Sequence, residues 1–225
     1  MNKRHFAIIV AGGVGTRMGT DIPKQFINLG GKPLLLRTLE VFLNLAFPVE
    51  IIIALPVTYM DRWKETCSAA GLDGTHKIVA GGITRFHSVK NALSIIPKGV
   101  LVAVHDGVRP FVHSEFIESL YGKASECGSA IPVVKPVDSM RVLMSDGKSQ
   151  PVNRDEFVFV QTPQVFDSEI LLNAYEQPYS QSFTDDASVV ESAGCQISLV
   201  EGDPINIKIT RQEDLLIAKA ILSVF

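Results

Sequence analysis

The chain has 225 residues, 46% of them hydrophobic and 20% charged, and a net charge of −3. That is an ordinary globular composition, long enough for one substantial α/β unit, and it carries no basic field that would recruit nucleic acid. The apolar runs are of strand length, which excludes a membrane-spanning helix, and MNKRH leads straight into a strand rather than a signal peptide. Cys67, Cys127 and Cys195 are odd in number and far apart, without CxxC or zinc spacing, which fits a reducing cytoplasm.

The first element is a strand, Phe6–Ala11. It empties into AGGVGTRMG (Ala11 to Gly19), followed by PKQF (Pro23 to Phe26). A glycine-rich turn after an apolar strand holds phosphates with backbone N–H groups, and glycine lets the anion come close. Ala11, Gly12, Gly13 and Gly15 are the candidate cradle, and Arg17 and Lys24 add two cations. Two commoner loops fail here. A GxxxxGK[ST] loop would need its second glycine where Arg17 or Met18 stands. In GxGxxG counted from Gly13, Met18 takes the third glycine position, and Pro56 rather than an acidic ribose ligand follows the second strand.

Helix Leu34–Leu45 comes next, with Leu35, Leu39, Phe42 and Leu43 on one face, then strand Glu50–Leu55 and helix Thr58–Ala70. Strand Lys77–Ala80 ends in Gly81-Gly82, and helix Arg85–Ile96 brings Ser88 close behind; paired glycines expose backbone groups suited to a nucleobase edge. Strand Val100–Val104 runs into His105-Asp106-Gly107-Val108-Arg109. Asp106 suits a hydroxyl or a metal-bound phosphate, and His105 on a buried strand reads as a satisfied core histidine. Helix Ser114–Cys127 and strand Ser129–Val134 follow.

Pro136 to Glu156 breaks the alternation. It reads as a hairpin arm turning at Ser145 to Lys148, and it carries Ser139 and Arg154. A lone two-stranded arm is marginal in water, so a second subunit is its natural support. Beyond it come strand Phe157–Val160, Thr162-Pro163-Gln164, helix Ser168–Tyr175, Thr184-Asp185-Asp186 opening helix Asp185–Ser192, and strand Gln196–Val200. Asn206-Ile207-Lys208 reads as a short strand, and Arg211–Val224 as the last helix. Ser114 and Asp167 read as helix N-caps, and Asp185 and Asp186 as first-turn carboxylates suited to the helix dipole. The order predicts an α/β, Rossmann-like, doubly wound, mostly parallel sheet over residues 1–225, with a projecting β-arm for dimerisation at about 136–156 and ligands at the carboxyl ends of the strands.

The cations Arg17, Lys24, Arg109, Arg154 and Lys208 fall at crevice or arm positions, and no nucleophile is paired with a base. A phosphate monoester attacking the α-phosphorus of a nucleoside triphosphate needs neither. It needs two anions brought together and charge stabilised at phosphorus, which fixed cations and Mg2+ supply.

These residues carry a resemblance. AGGVGTRMG with PKQF, GGITRFHSV, HDGVRPF, VNRD, QTPQVF, FTDDAS and NIKIT occur in the order found in the 2-C-methyl-D-erythritol 4-phosphate cytidylyltransferases. The resemblance implies cytidylyl transfer from CTP with Mg2+ in a homodimer. Arg17 and Lys24 would stabilise the transition state, and the turn, Gly81, Gly82 and Ser88 would hold cytidine. Asp106, Arg109 and Thr184 would meet the polyol. Arg154 and Lys208 would position its phosphate, with Ser139 and Thr162 nearby, and Arg154 and Ser139 would serve the partner's site. Ser139 stands where the family usually has threonine, and HDGVRPF replaces the commoner HDAARP. The latter form also resembles the ribitol 5-phosphate cytidylyltransferases, which remain the alternative; RFHSV and TDDAS favour the first family.

Overall fold

The computed structural model describes residues 3–13 and 22–224. Along the chain run strand β1 (His5–Val10), the short pair β2 (Asn28–Leu29) and β3 (Lys32–Pro33), helix α1 (Leu34–Leu43), β4 (Val49–Leu55), α2 (Met60–Ala69), β5 (Lys77–Ala80), α3 (Arg85–Leu93), β6 (Leu101–Asp106), α4 (Ser114–Cys127) and β7 (Ser129–Val134). The second half adds β8 (Met140–Leu143), β9 (Ser149–Val152), β10 (Phe159–Val160), β11 (Gln164–Asp167), α5 (Ser168–Ala174), α6 (Asp186–Ser192), β12 (Leu199–Glu201) and α7 (Gln212–Leu222).

The apolar strands explain the layering. In β1, Ala7 and Ile9 face one core and Phe6 and Ile8 the other; in β6, Leu101 and Ala103 divide from Val102 and Val104 in the same way. A strand apolar on both sides must be covered on both sides. α1, α2 and α4 cover the first face through Leu39, Trp63 and Leu120, and α3, α5 and α6 cover the second through Val89, Leu171 and Val190. No helix among the described residues is long and apolar enough to cross a membrane.

The main sheet runs β10-β7-β11-β6-β1-β4-β5, with β12 also on β7. β1 pairs in parallel with β4 and with β6, and β4 with β5, while β11 runs antiparallel between β6 and β7, and β10 antiparallel to β7. The chain thus moves outward from β1 to β4 and β5, then returns to the other side of β1 as β6. Such a reversal opens a crevice at the carboxyl ends of the strands where it occurs. Register sharpens this: Val10, the last residue of β1, lies opposite Asp106, the last residue of β6.

Three details depart from the sequence reading. β11 replaces what reads as a site loop at Gln164, because four residues after Pro163 give too short a run to show strand periodicity. Asn206 to Lys208 is not in a strand: Ile209 N–H reaches the Val108 carbonyl at 3.0 Å, but the Asn206 and Ile207 N–H groups turn back onto the Asp203 and Ile205 carbonyls, and the Asn206 carbonyl accepts from the Arg109 guanidinium. Asp167 does cap α5, accepting the Glu169 N–H at 2.8 Å, but Ser114 is already inside α4. The extended His113 takes the cap position, while α4 keeps the expected bounds Ser114–Cys127. The hairpin is present: β8 and β9 pair antiparallel with Met140 opposite Val152, as a two-stranded sheet separate from the main one.

Candidate active site

The cavity at the β1–β6 reversal has a volume of about 300 Å3, and Gly12, Gly13, Lys24, Gly82, Asp106 and Lys208 are among its walls. Two glycine turns meet in it. Gly12 leaves β1 so close to α3 that a Cβ there would stand 2.9 Å from Ser88 Oγ, and Ser88 Oγ accepts the Gly82 N–H at 3.0 Å while donating to the Thr84 carbonyl at 3.0 Å. One hydroxyl therefore ties the turn after β5 to the first turn of α3 and abuts the turn after β1. Gly82 has no room for a side chain, since a Cβ would lie 2.2 Å from that of His87 and 2.8 Å from its backbone carbon. Gly81 extends the ladder, its N–H on the Leu55 carbonyl at 2.8 Å.

Lys24 opens a single turn of tight helix, Lys24–Phe26, which two anchors hold in place. The buried Gln25 amide donates to the Ala11 carbonyl at 2.9 Å, and the Phe26 ring is buried against Tyr59 and Trp63. Lys24 Nζ consequently lies 3.8 Å from where a Cβ on Gly13 would be.

Across the cavity, Asp106 gathers the charge. Its Oδ2 takes Lys208 Nζ at 2.9 Å and Arg109 Nε at 3.4 Å, and its Oδ1 faces Arg85 Nε at 3.4 Å. Burial alone would raise the Asp106 pKa, but Arg85, then Lys208 and Arg109, outweigh it and hold the carboxyl well below its usual range. Burial pulls Arg109 below its ordinary value against the opposing pull of Asp106. Arg85 is shifted up: Asp186 and Asp106 overcome its desolvation.

Behind Asp106 lies a neutral relay of hydrogen bonds. The Asp106 N–H donates to Thr162 Oγ1 at 3.0 Å, that hydroxyl meets His105 Nδ1 at 3.2 Å, and His105 Nε2 meets the Arg109 carbonyl at 3.1 Å. The carbonyl only accepts, so Nε2 carries the proton and Nδ1 accepts from Thr162. Burial pushes His105 down to about 4, so it is neutral near pH 7, as a satisfied core histidine should be.

The structure places Ala11, Gly12, Gly13, Lys24, Gly82, Ser88, Asp106 and Lys208 in the cavity wall, with Gly81 on the Leu55 carbonyl and Arg109 on Asp106 outside it. It separates others. Thr162 is buried and supports Asp106 from behind. Thr184 is exposed, with its N–H on Ser188 Oγ at 3.1 Å, and is not in the cavity wall. Ser139 and Arg154 are exposed on the arm, where Arg154 donates to the Val137 carbonyl, and neither lines the cavity. Gly15 and Arg17 lie outside the described residues. Lys208 is exposed, as its alternation with Ile207 and Ile209 allows, but its ammonium turns onto Asp106 rather than into bulk water. Sequence reasoning missed Arg85 and misread Asp186. Asp186 is fully buried and takes both terminal nitrogens of Arg85 at 2.9 and 2.7 Å, while Asp185 is the cap. A first-turn aspartate looks the same in sequence whether it serves the dipole or an ion pair. The only signal for Arg85 was its place just after the glycine pair.

Asp106 does not fit as a metal ligand. Three cationic groups already face its two oxygens, and no cluster of three His, Cys, Asp or Glu suited to a metal exists among the described residues.

A glycine cradle at a sheet reversal, with one lysine over it and a second cation group facing it, defines a phosphate-binding α/β protein of the nucleotidyl-transfer kind. The comparisons with known proteins agree. A family model described as 2-C-methyl-D-erythritol 4-phosphate cytidylyltransferase matches residues 5–224, and the chain belongs to that family. The enzyme of that name from Bacteroides fragilis is 49% identical over 216 residues, covering 96% of this chain and 98% of its own. That from Porphyromonas gingivalis is 45% identical over 225 residues, covering 99% and 100%. Among solved structures, 4-diphosphocytidyl-2C-methyl-D-erythritol synthase from Anaerococcus prevotii superposes with a TM-score of 0.84 at 30% identity, covering 98% of this chain and 96% of that one.

Proposed function

We propose that this chain transfers the cytidylyl group of CTP to 2-C-methyl-D-erythritol 4-phosphate, in the non-mevalonate isoprenoid pathway. An acceptor phosphate oxygen bonds to the α-phosphorus, and the bond from that phosphorus to the bridging oxygen breaks, releasing pyrophosphate and 4-diphosphocytidyl-2-C-methyl-D-erythritol. The observation that carries this reading is the single cavity whose wall holds the turns at Gly12, Gly13 and Gly82 with Lys24 on one side and Asp106 with Lys208 on the other, Arg109 meeting Asp106 as well. The nucleophile is already an anion, so no general base is required, and neutral His105 is not asked to act as one.

In this reading the turn after β1, Gly81, Gly82 and Ser88 hold cytidine, and Arg17 and Lys24 face the triphosphate. Lys208 takes the acceptor phosphate, and Asp106, with Arg109 bonded to it, meets the polyol. Mg2+ belongs on the triphosphate oxygens rather than on Asp106. The compartment is the cytoplasm, which the free Cys67, Cys127 and Cys195 favour.

Pyrophosphate release with CTP and Mg2+ tests the reaction. Release is expected with methylerythritol phosphate, and turnover with ribitol 5-phosphate alone would transfer the chain to the alternative acceptor. No release with either would leave only a nucleotide-binding module.

Arg154 and Ser139 enter this reading from a second subunit. Supporting this, the arm and the strand after it leave Leu143 82%, Phe157 41% and Phe159 57% exposed, which a partner's surface would cover. If Arg154 acts across the interface, Arg154→Ala subunits mixed with Lys208→Ala subunits form hybrid dimers with one intact site. Random exchange should then recover about a quarter of wild-type activity from two inactive parents. No recovery after verified exchange would place both residues in one site of one chain.

A further inference from the structure

A line of charges enters the cavity from the core behind the sheet, and nothing in the reaction above uses its inner half. Tyr175 OH donates to Asp186 Oδ1 at 2.6 Å, and the Tyr175 ring is stacked on Phe86 with centroids 4.7 Å apart. Asp186 then grips both terminal nitrogens of Arg85. A guanidinium held along that edge has its Nε–H left to point elsewhere, and here it points at Asp106 Oδ1. The 3.4 Å separation makes this a loose hydrogen bond whose effect is chiefly electrostatic. It nonetheless sets a cation on that oxygen, while Lys208 and Arg109 meet the other.

We propose that Arg85 is a positioning residue for the acceptor: it sets the rotation of the Asp106 carboxylate and thereby the place of the Lys208 ammonium, with Asp186 and Tyr175 fixing the guanidinium. The Asp186 carboxylate also cancels the Arg85 charge. The field offered to the acceptor is then that of Lys208, Arg109 and Asp106, not of three cations crowding one carboxylate. The proposal rests on the reading of Lys208 and Asp106 as the acceptor's side of the cavity. It gives Asp186 a role distinct from tying α3 to α6, because it predicts a change in acceptor binding that is separable from stability.

The test compares Asp186→Asn with the double variant Arg85→Gln/Asp186→Asn, reading KM for CTP, KM for methylerythritol phosphate and the unfolding temperature. Asp186→Asn frees the Arg85 fork to close on Asp106 and draw it from Lys208. Its acceptor KM is expected to rise about tenfold with the CTP KM within about twofold, alongside a lowered unfolding temperature. The double variant replaces the ion pair by two neutral amides, so its stability should recover while its acceptor KM stays about tenfold raised. A double variant normal in both respects would show a merely structural pair, and an equal rise in both KM values would move Arg85 to the nucleotide side. Either result overturns the proposal. If either variant loses its native circular dichroism, Tyr175→Phe is read instead, which removes one bond to Asp186. An acceptor KM raised about threefold supports the proposal, and an unchanged one overturns it. Lys208→Ala separates the two levels. Should it leave the acceptor KM unmoved, the acceptor reading falls and the role of Arg85 with it; a rise there with none in the double variant removes the Arg85 proposal alone.

Discussion

Lys24→Ala is expected to lower the turnover number by about three orders of magnitude while leaving the unfolding midpoint nearly unchanged. The size follows from charge and distance. A unit charge about 4 Å from a phosphate oxygen contributes roughly 4 kcal/mol at an effective dielectric of 20, and 4 kcal/mol is about a thousandfold in rate. That full effect requires an ammonium already in place, so that no reorganisation offsets it. The Gln25 bond to Ala11 and the burial of Phe26 provide such a placement over Gly13. The fold should survive, because Gln25 and Phe26 anchor the turn to the core. Lys24→Arg should recover part of the rate by keeping the charge on a different shape. Single-turnover rates at saturating CTP, with urea unfolding in parallel, check this; a near-normal rate in the alanine variant would show that Lys24 does not face the reacting phosphates.

Asp106→Asn is expected to act on both stability and acceptor use. The change is isosteric and removes the negative charge that Lys208 and Arg109 share. Breaking a buried ionic cluster by deleting one partner costs about 3–5 kcal/mol, because the remaining cations stay desolvated and unpaired. The same deletion lets Lys208 and Arg109 repel each other, and a misplacement of order 1 Å is enough to lower kcat/KM for the acceptor by about a hundredfold. The pH dependence has a definite sign. The folded Asp106 carboxyl lies below its unfolded value of 3.8, so its contribution to stability is present above that value and is lost as pH falls below it. Asp106→Asn should therefore be less stable than wild type near neutrality and show a shallower loss of stability in acid. Urea unfolding from pH 7 down to the acid limb measures both, and parallel curves of equal midpoint would refute the charge cluster as described.

Much of the site was legible because its signals are local. The glycines after β1 and β5 mark turns where backbone must approach a ligand, and the failures at Met18 and Pro56 removed two familiar alternatives. Apolar residues on both faces of β1, β4 and β6 announce a sheet covered on both sides, which brings the strand-end residues to one edge. β11 was not legible. Its four residues follow a proline and begin with a polar glutamine, so no periodicity separates them from a loop, and nothing local reveals that they run antiparallel between β6 and β7. Lys208 beside Ile207 and Ile209 has the pattern of a solvent-facing strand residue, yet the attraction of Asp106 turns it inward. Asp186 is the clearest case. Every local rule explains it as a helix-dipole carboxylate, and only the packing of α3 and α5 against α6 shows it buried under Arg85 and Tyr175.

The sequence alone thus determined the class of fold and the glycine turns at its strand ends, since backbone freedom at glycine and burial of apolar strands depend on neighbours a few residues away. Which charges share one cavity was decided only by the tertiary structure. The chain reverses its order across β1, sets Val10 opposite Asp106, and carries α3, α6 and the segment around Lys208 to the same strand ends. Ion pairing falls steeply with distance and desolvation, and both are properties of that assembled edge rather than of any stretch of sequence.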